Sequence, residues 1–144
     1  MKRSTGLRAA ILTAFKQTMD GSVIDYYAGT APASADDALN ADNVLLCTIS
    51  VDGSGTGVTF DADTSQGALI KNTSEVWSGV IVASGTASFF RMRKPNDDGI
   101  SSNALARLQG TVGLNDADLN LSSMTFTVGN ERKLNQFVVS VPAG

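Results

Sequence analysis

Histidine is absent from the chain, which removes Ser-His-Asp and Cys-His triads, ordinary zinc sites and the commonest general acid or base in one step. Carboxylates are what remains for chemistry. They gather in three places: Asp36-Asp37, Asp61 with Asp63, and Asp97-Asp98 together with Asp116 and Asp118. A hydrolase would need two acids held a few ångströms apart, and Asp61 and Asp63 are the best such pair. A calcium loop needs oxygen ligands at alternating positions, a fixed Gly and a closing bidentate Glu. Neither Asn96-Asp97-Asp98-Gly99 nor Asn115-Asp116-Ala117-Asp118 has that pattern, and Asp, Asn and Gly are what turns use. The expectation is a protein that is not an enzyme and holds no metal or cofactor.

Other chemically suggestive groups read more simply as structure. The glycine-rich stretch 52–57 lacks the lysine and following helix of a phosphate loop, so it is expected to be a hairpin turn. Arg91, Arg93 and Lys94 lie near Phe89 and Phe90, but on a strand those two rings face opposite ways and form no stacking platform for bases. Trp77 with Tyr26 or Tyr27 could serve a carbohydrate-binding module only if the rings share one exposed face. The single cysteine, Cys47, sits in the apolar run Val44-Leu45-Leu46-Cys47-Thr48-Ile49 and reads as a buried small hydrophobe.

The elements that position these residues follow from periodicity. Ser4 or Thr5 can cap a helix that Gly21 ends, and Leu7, Ile11, Phe15 and Met19 recur every four residues along it. Beyond Gly21 the period becomes two. Strands are expected at 22–27, 44–51, 58–61, 68–71, 75–82, 86–93, 106–112, 119–121, 124–128 and 134–141, with polar loops at 33–43 and 94–103. In the last strand Phe137, Val139 and Val141 share one face; in the strand before it Met124, Phe126 and Val128 do. Short strands with frequent turn signals and no alternation with helices give an all-β class, an antiparallel β-sandwich with a short N-terminal α-helix. The natural division is a helical arm over residues 1–21 and a sandwich domain over 22–144.

Charge is uneven. The formal net charge is −3, which argues against a general nucleic-acid binder. Yet Lys2, Arg3, Arg8 and Lys16 all precede the first acid, Asp20. Such a run is either a solvated helix face or an arm docking on an acidic partner. On the second reading the partner-binding residues are Lys2, Arg3, Leu7, Arg8, Ile11 and Phe15, and removing residues 1–20 should weaken assembly more than the fold. Lys16 and Gln17 interrupt the only signal-like stretch, and no apolar run is long enough to span a membrane, so no membrane partner is expected.

Several phrases along the chain are similar to a known family. Met1-Lys2-Arg3-Ser4-Thr5-Gly6-Leu7-Arg8 and Tyr27-Ala28-Gly29-Thr30-Ala31-Pro32 resemble small virion proteins encoded among the structural genes of tailed bacteriophages. So do Glu75-Val76-Trp77-Ser78-Gly79, Gln109-Gly110-Thr111-Val112-Gly113 and the ending Phe137-Val138-Val139-Ser140-Val141-Pro142. The resemblance implies a jelly-roll capsid cement or decoration protein, made in the host cytoplasm and bound to the outer surface of the major capsid protein shell. It also implies pairing with itself, a homo-oligomer with a dimer favoured. A collar, tail or fibre-associated protein of the same particle is the alternative within the class, and a carbohydrate-binding module the alternative outside it.

Overall fold

The computed structural model describes residues 1–61 and 67–144. One helix, α1 (Thr5–Met19), precedes the strands β1 (Val23–Ala28), β2 (Val44–Val51), β3 (Phe60–Asp61), β4 (Ala68–Lys71), β5 (Trp77–Val80) and β6 (Gly85–Thr86). The chain continues through β7 (Phe89–Arg93), β8 (Arg107–Gly113), β9 (Leu119–Asn120), β10 (Thr125–Phe126), β11 (Glu131–Leu134) and β12 (Val138–Ser140). A curled seven-stranded sheet runs in the order β11-β5-β2-β1-β7-β8-β9, antiparallel except for the β8–β9 pair. Its concave face is covered by a three-stranded sheet, β12-β4-β3, a two-stranded ribbon, β10-β6, and α1. The fold is all-β and sandwich-like with one short helix, as the alternation predicts.

Aromatic rings tie the layers together. Phe60 on β3 meets Phe15 of α1 at 5.6 Å, Trp77 of β5 at 5.6 Å and Phe137 at 5.8 Å between centroids. Phe137 in turn meets Phe90 of β7 edge-on at 5.8 Å. A β-bulge between Tyr26 and Tyr27 lets Leu46 pass unpaired opposite β1, so the adjacent Leu46 and Cys47 both enter the core. Burial raises the Cys47 thiol to about 11, in keeping with a packing role. Two glycines permit close approaches of backbone: a Cβ on Gly57 would lie 2.1 Å from the carbonyl of Gly21, and one on Gly79 would lie 2.1 Å from the carbonyl oxygen of Thr48.

The helix forms as its cap predicts, with the Ser4 hydroxyl accepting from the Leu7 amide at 3.2 Å. Its C-terminal half buries the expected stripe, while the N-terminal half of that stripe stays exposed. Leu12 and Met19 are fully or almost fully buried and Phe15 packs beside them, whereas Leu7 is 51% and Ile11 42% exposed. Leu12 and Met19 join the same core as the sheet residues across the boundary at residue 21. Lys16 donates to Asp20 at 2.5 Å and to the Phe60 carbonyl at 2.7 Å, and Asp20 accepts from the Phe60 amide at 3.0 Å. Removing residues 1–20 would take Leu12, Phe15 and Met19 out of the core, so the truncation is expected to weaken the fold as well as any assembly.

Most strands form where alternation places them, and two long ones are divided. The stretch 86–93 splits at Ala87-Ser88, leaving β6 in the ribbon and β7 in the large sheet. The stretch 134–141 belongs to two sheets: β11 ends at Leu134, the chain turns through residues 135–137, and β12 pairs with β4. Phe137 and Val139 pack inward on the expected face, while Val128 of the neighbouring stretch is 56% exposed because β10 ends at Phe126. Leu12→Ala should lower stability by about 3 kcal/mol, the usual range for a buried leucine, whereas Ile11→Ala should change it by less than about 1 kcal/mol. Equilibrium denaturation with urea checks both.

Candidate functional site

The residues with partner-binding potential on α1 divide between the body of the protein and its surface. Arg3 donates through its amide to the Ala143 carbonyl at 2.6 Å and through Nη1 to the Pro142 carbonyl at 3.2 Å. Arg8 Nε donates to the Val141 carbonyl at 2.7 Å. These two cations thus clasp the C-terminal segment against the start of the helix, and Phe15 faces Phe60. Lys2, Leu7 and Ile11 remain at the surface. Beside Ile11 lies an open, mainly apolar groove of about 390 Å3, lined by Ala14, Phe15 and Thr18 of α1 and by Ala106 and Leu108 at the start of β8. The structure brings Leu7 and Ile11 onto one exposed helix face; it does not gather all six residues into one patch.

A second site occupies the convex face of the large sheet. The burial pattern of β1 explains why it exists: five consecutive residues, Val23 to Tyr27, are buried, so both faces of this strand are covered. Ile24 and Tyr26 face the core. Asp25 and Tyr27 face the other way, beneath the loops 29–43 and 94–106. Asp25 is fully buried and accepts from Thr48 Oγ1 at 2.7 Å, from Arg93 Nε at 2.7 Å and from the Tyr27 hydroxyl at 3.1 Å. Desolvation and the neighbouring Asp25 together hold the Tyr27 phenol well above its usual range.

Arg91 and Arg93 are two residues apart on β7 and so point to this same face, joined by Arg107 and Gln109 from β8. Arg107 closes on Asp97 in a bidentate pair, Nε to Oδ2 at 2.6 Å and Nη2 to Oδ1 at 2.7 Å, with both side chains almost fully buried. It also donates to the carbonyls of Ala35, Asp36 and Ile100, stitching both loops to the sheet. The hydrogen bond from Arg107 holds the Asp97 carboxyl below its ordinary value. Arg91, 2% exposed, donates from Nε and Nη2 to Gln109 Oε1 at 3.2 and 2.6 Å and from Nη1 to the Asp37 carbonyl at 2.9 Å. Between the guanidiniums and the loops lies a cleft of about 370 Å3 walled by Tyr27, Leu39 and Pro95.

The remaining sequence candidates take structural places. Asp61 accepts from the Thr73 amide at 3.2 Å, Asp118 from the Thr111 amide at 2.8 Å and Asp37 from the Ser34 amide at 3.1 Å; Asp63 lies outside the described residues. Asp116 adopts a positive φ of 56°. Among the described residues no three His, Cys, Asp or Glu side chains converge as a metal site would require. The sugar platform does not form: Trp77 and Tyr26 are 1% and 0% exposed, and Trp77 donates Nε1 to Glu75 Oε2 at 2.8 Å inside the fold. Phe89 and Phe90 do face opposite ways, Phe89 stacking on Tyr27 at 5.1 Å and Phe90 in the core. Sequence reasoning missed the arginine cluster. The available signals were Asp25, an acid inside an apolar strand, and the Arg91-x-Arg93 spacing on one strand face.

Replacing Asp97 with Asn leaves Arg107 buried without its counter-charge and should lower stability by about 3 kcal/mol. Because the folded-state value of Asp97 is depressed, its contribution is present above the ordinary carboxylate value of 3.8 and is lost as pH falls through the depressed value. Denaturation midpoints between neutral pH and pH 3 should accordingly fall more steeply in the native protein than in Asp97→Asn. No family model matches the chain, and comparison with curated proteins and with solved structures finds no match.

Proposed function

We propose that this chain is a structural component of a tailed-phage particle, specifically a capsid cement or decoration protein bound to the outside of the major capsid protein shell. The similarity to small phage virion proteins along the sequence motivates the particle. The observation that carries the contact is the outer face of α1, where Leu7 and Ile11 stand exposed beside the groove at Ala106 and Leu108 while the helix beneath is locked into the core. A rigidly mounted apolar face avoids the ordering penalty of a flexible arm. A shell repeats its binding site many times over, so modest contacts suffice when copies are linked, and pairing of this chain with itself would add to that avidity.

Imaging of the assembled particle tests the reading. Density for this fold on the outer shell, in hundreds of copies, is the expected result. A count of about six to twelve would instead assign it to the neck or tail, because closed symmetry sets such numbers. Complete absence from the particle would overturn the proposal. Ile11→Asp should reduce incorporation by roughly ten-fold, the effect of losing one well-buried apolar contact, without lowering the unfolding free energy by more than about 1 kcal/mol. Incorporation of Ile11→Asp equal to that of the native protein would exclude α1 as the contact.

A further inference from the structure

The arginine cluster is unevenly compensated. All the donor positions of Arg107 are engaged by Asp97 and three backbone carbonyls. Arg93 pairs with Asp25 through Nε and uses Nη1 on the carbonyls of Lys94 and Pro95, which leaves Nη2 without a partner among the described residues. Among the described residues Arg91 has no carboxylate within ion-pair distance: its three hydrogen bonds go to a neutral amide and a neutral carbonyl, and one hydrogen on each Nη has no partner there. Gln109 is itself fixed by donating Nε2 to the Pro32 carbonyl at 2.8 Å, so Arg91 is held in place and not merely collapsed onto the surface. Both guanidiniums line the cleft, whose walls of Tyr27, Leu39 and Pro95 exclude part of the solvent that would otherwise screen them.

We propose that this cleft binds a small oxyanion, a phosphate or a carboxylate, gripped between Arg91 and Arg93. A buried cation lacking a counter-charge is costly, and an oxyanion supplying acceptors to two guanidiniums offsets that cost with charge-assisted hydrogen bonds. The ligand is small because Asp98, which lines the cleft and makes no ion pair among the described residues, opposes any anion large enough to reach it. The site lies on the sheet face opposite the core and does not depend on the proposed role in a particle.

Isothermal titration of the full chain at neutral pH, with chloride holding ionic strength constant, tests this with two separate probes, inorganic phosphate and acetate. Saturable one-to-one binding of at least one probe is expected; the probe that binds more tightly identifies the preferred oxyanion. Arg91→Gln and Arg93→Gln should each weaken it about ten-fold, the effect of one charged hydrogen bond. Asp98→Asn, an exposed change that leaves the fold intact, should strengthen it by about three-fold, as removal of a partly screened like charge does. Should Arg91→Gln fail to fold, Arg93→Gln and Asp98→Asn decide the matter. Heats equal to those of chloride for both probes, or affinities unaltered in both Arg93→Gln and Asp98→Asn, would overturn the proposal.

Discussion

Phe60 sits where three layers meet, and the rest of the structure is arranged around the need to keep that ring dry. Its strand, β3, is only two residues long, so backbone pairing contributes little to holding it. What fixes it is contact with one ring from the helix, one from the large sheet and one from the corner before β12. Polar links guard the same point: Asp20 accepts the Phe60 amide, Lys16 donates to its carbonyl, and Glu75 accepts from both the Thr59 amide and the Trp77 indole. Burial of large rings supplies most of the stabilisation in such a junction, and the hydrogen bonds make it specific by leaving no backbone group stranded. The helix is consequently a structural lid over one end of the sandwich, and only its outer face is free for other work.

The second constraint is the double burial of β1. A central antiparallel strand with one wet face needs only alternation, but a strand covered on both sides must find partners for any charge it buries. Asp25 does so with three donors, and the loops that cover it are anchored by guanidiniums from β7 and β8. Long loops folded onto a sheet tend to bring unpaired carbonyls with them, and arginine, with five donors in a plane, is well suited to collect those carbonyls. Arg107 is saturated by this task. Arg91 and Arg93 are not, and the difference between a structural arginine and a ligand-binding one lies in those remaining hydrogens.

Much of the fold was legible in the sequence, and the failures have physical causes. β2 and β4 coincide with the predicted 44–51 and 68–71 because their apolar runs are bounded by strong turn residues. The single strand expected at 134–141 is broken at Asn135-Gln136, where alternation continues unchanged across a corner that needs neither Gly nor Pro. β11 was missed because Glu131, Arg132 and Lys133 suit an edge strand, where water solvates one face and charge blocks further pairing. On α1 the period of four placed Phe15 and Met19 on the inward side, but did not show that Leu12, about 100° around from Ile11, would be buried while Leu7 and Ile11 stay exposed. Of the arginine cleft the sequence carried only the isolated signals of Asp25 and Arg91-x-Arg93, because its assembly requires β1, β7 and β8 to be neighbours and two distant loops to close over them.

One property follows from the central role of the Phe60 junction: α1 and the sheets open together. Native-state hydrogen exchange measures this directly, since amides released only by global unfolding share one free energy of opening while separately fraying segments exchange sooner. Amides in the middle of α1, around Leu12 and Phe15, should exchange with the same free energy as those of β1 and β2. Exchange of the α1 amides through a far smaller opening, with the sheet still protected, would contradict the account and return the helix to the status of an independent arm.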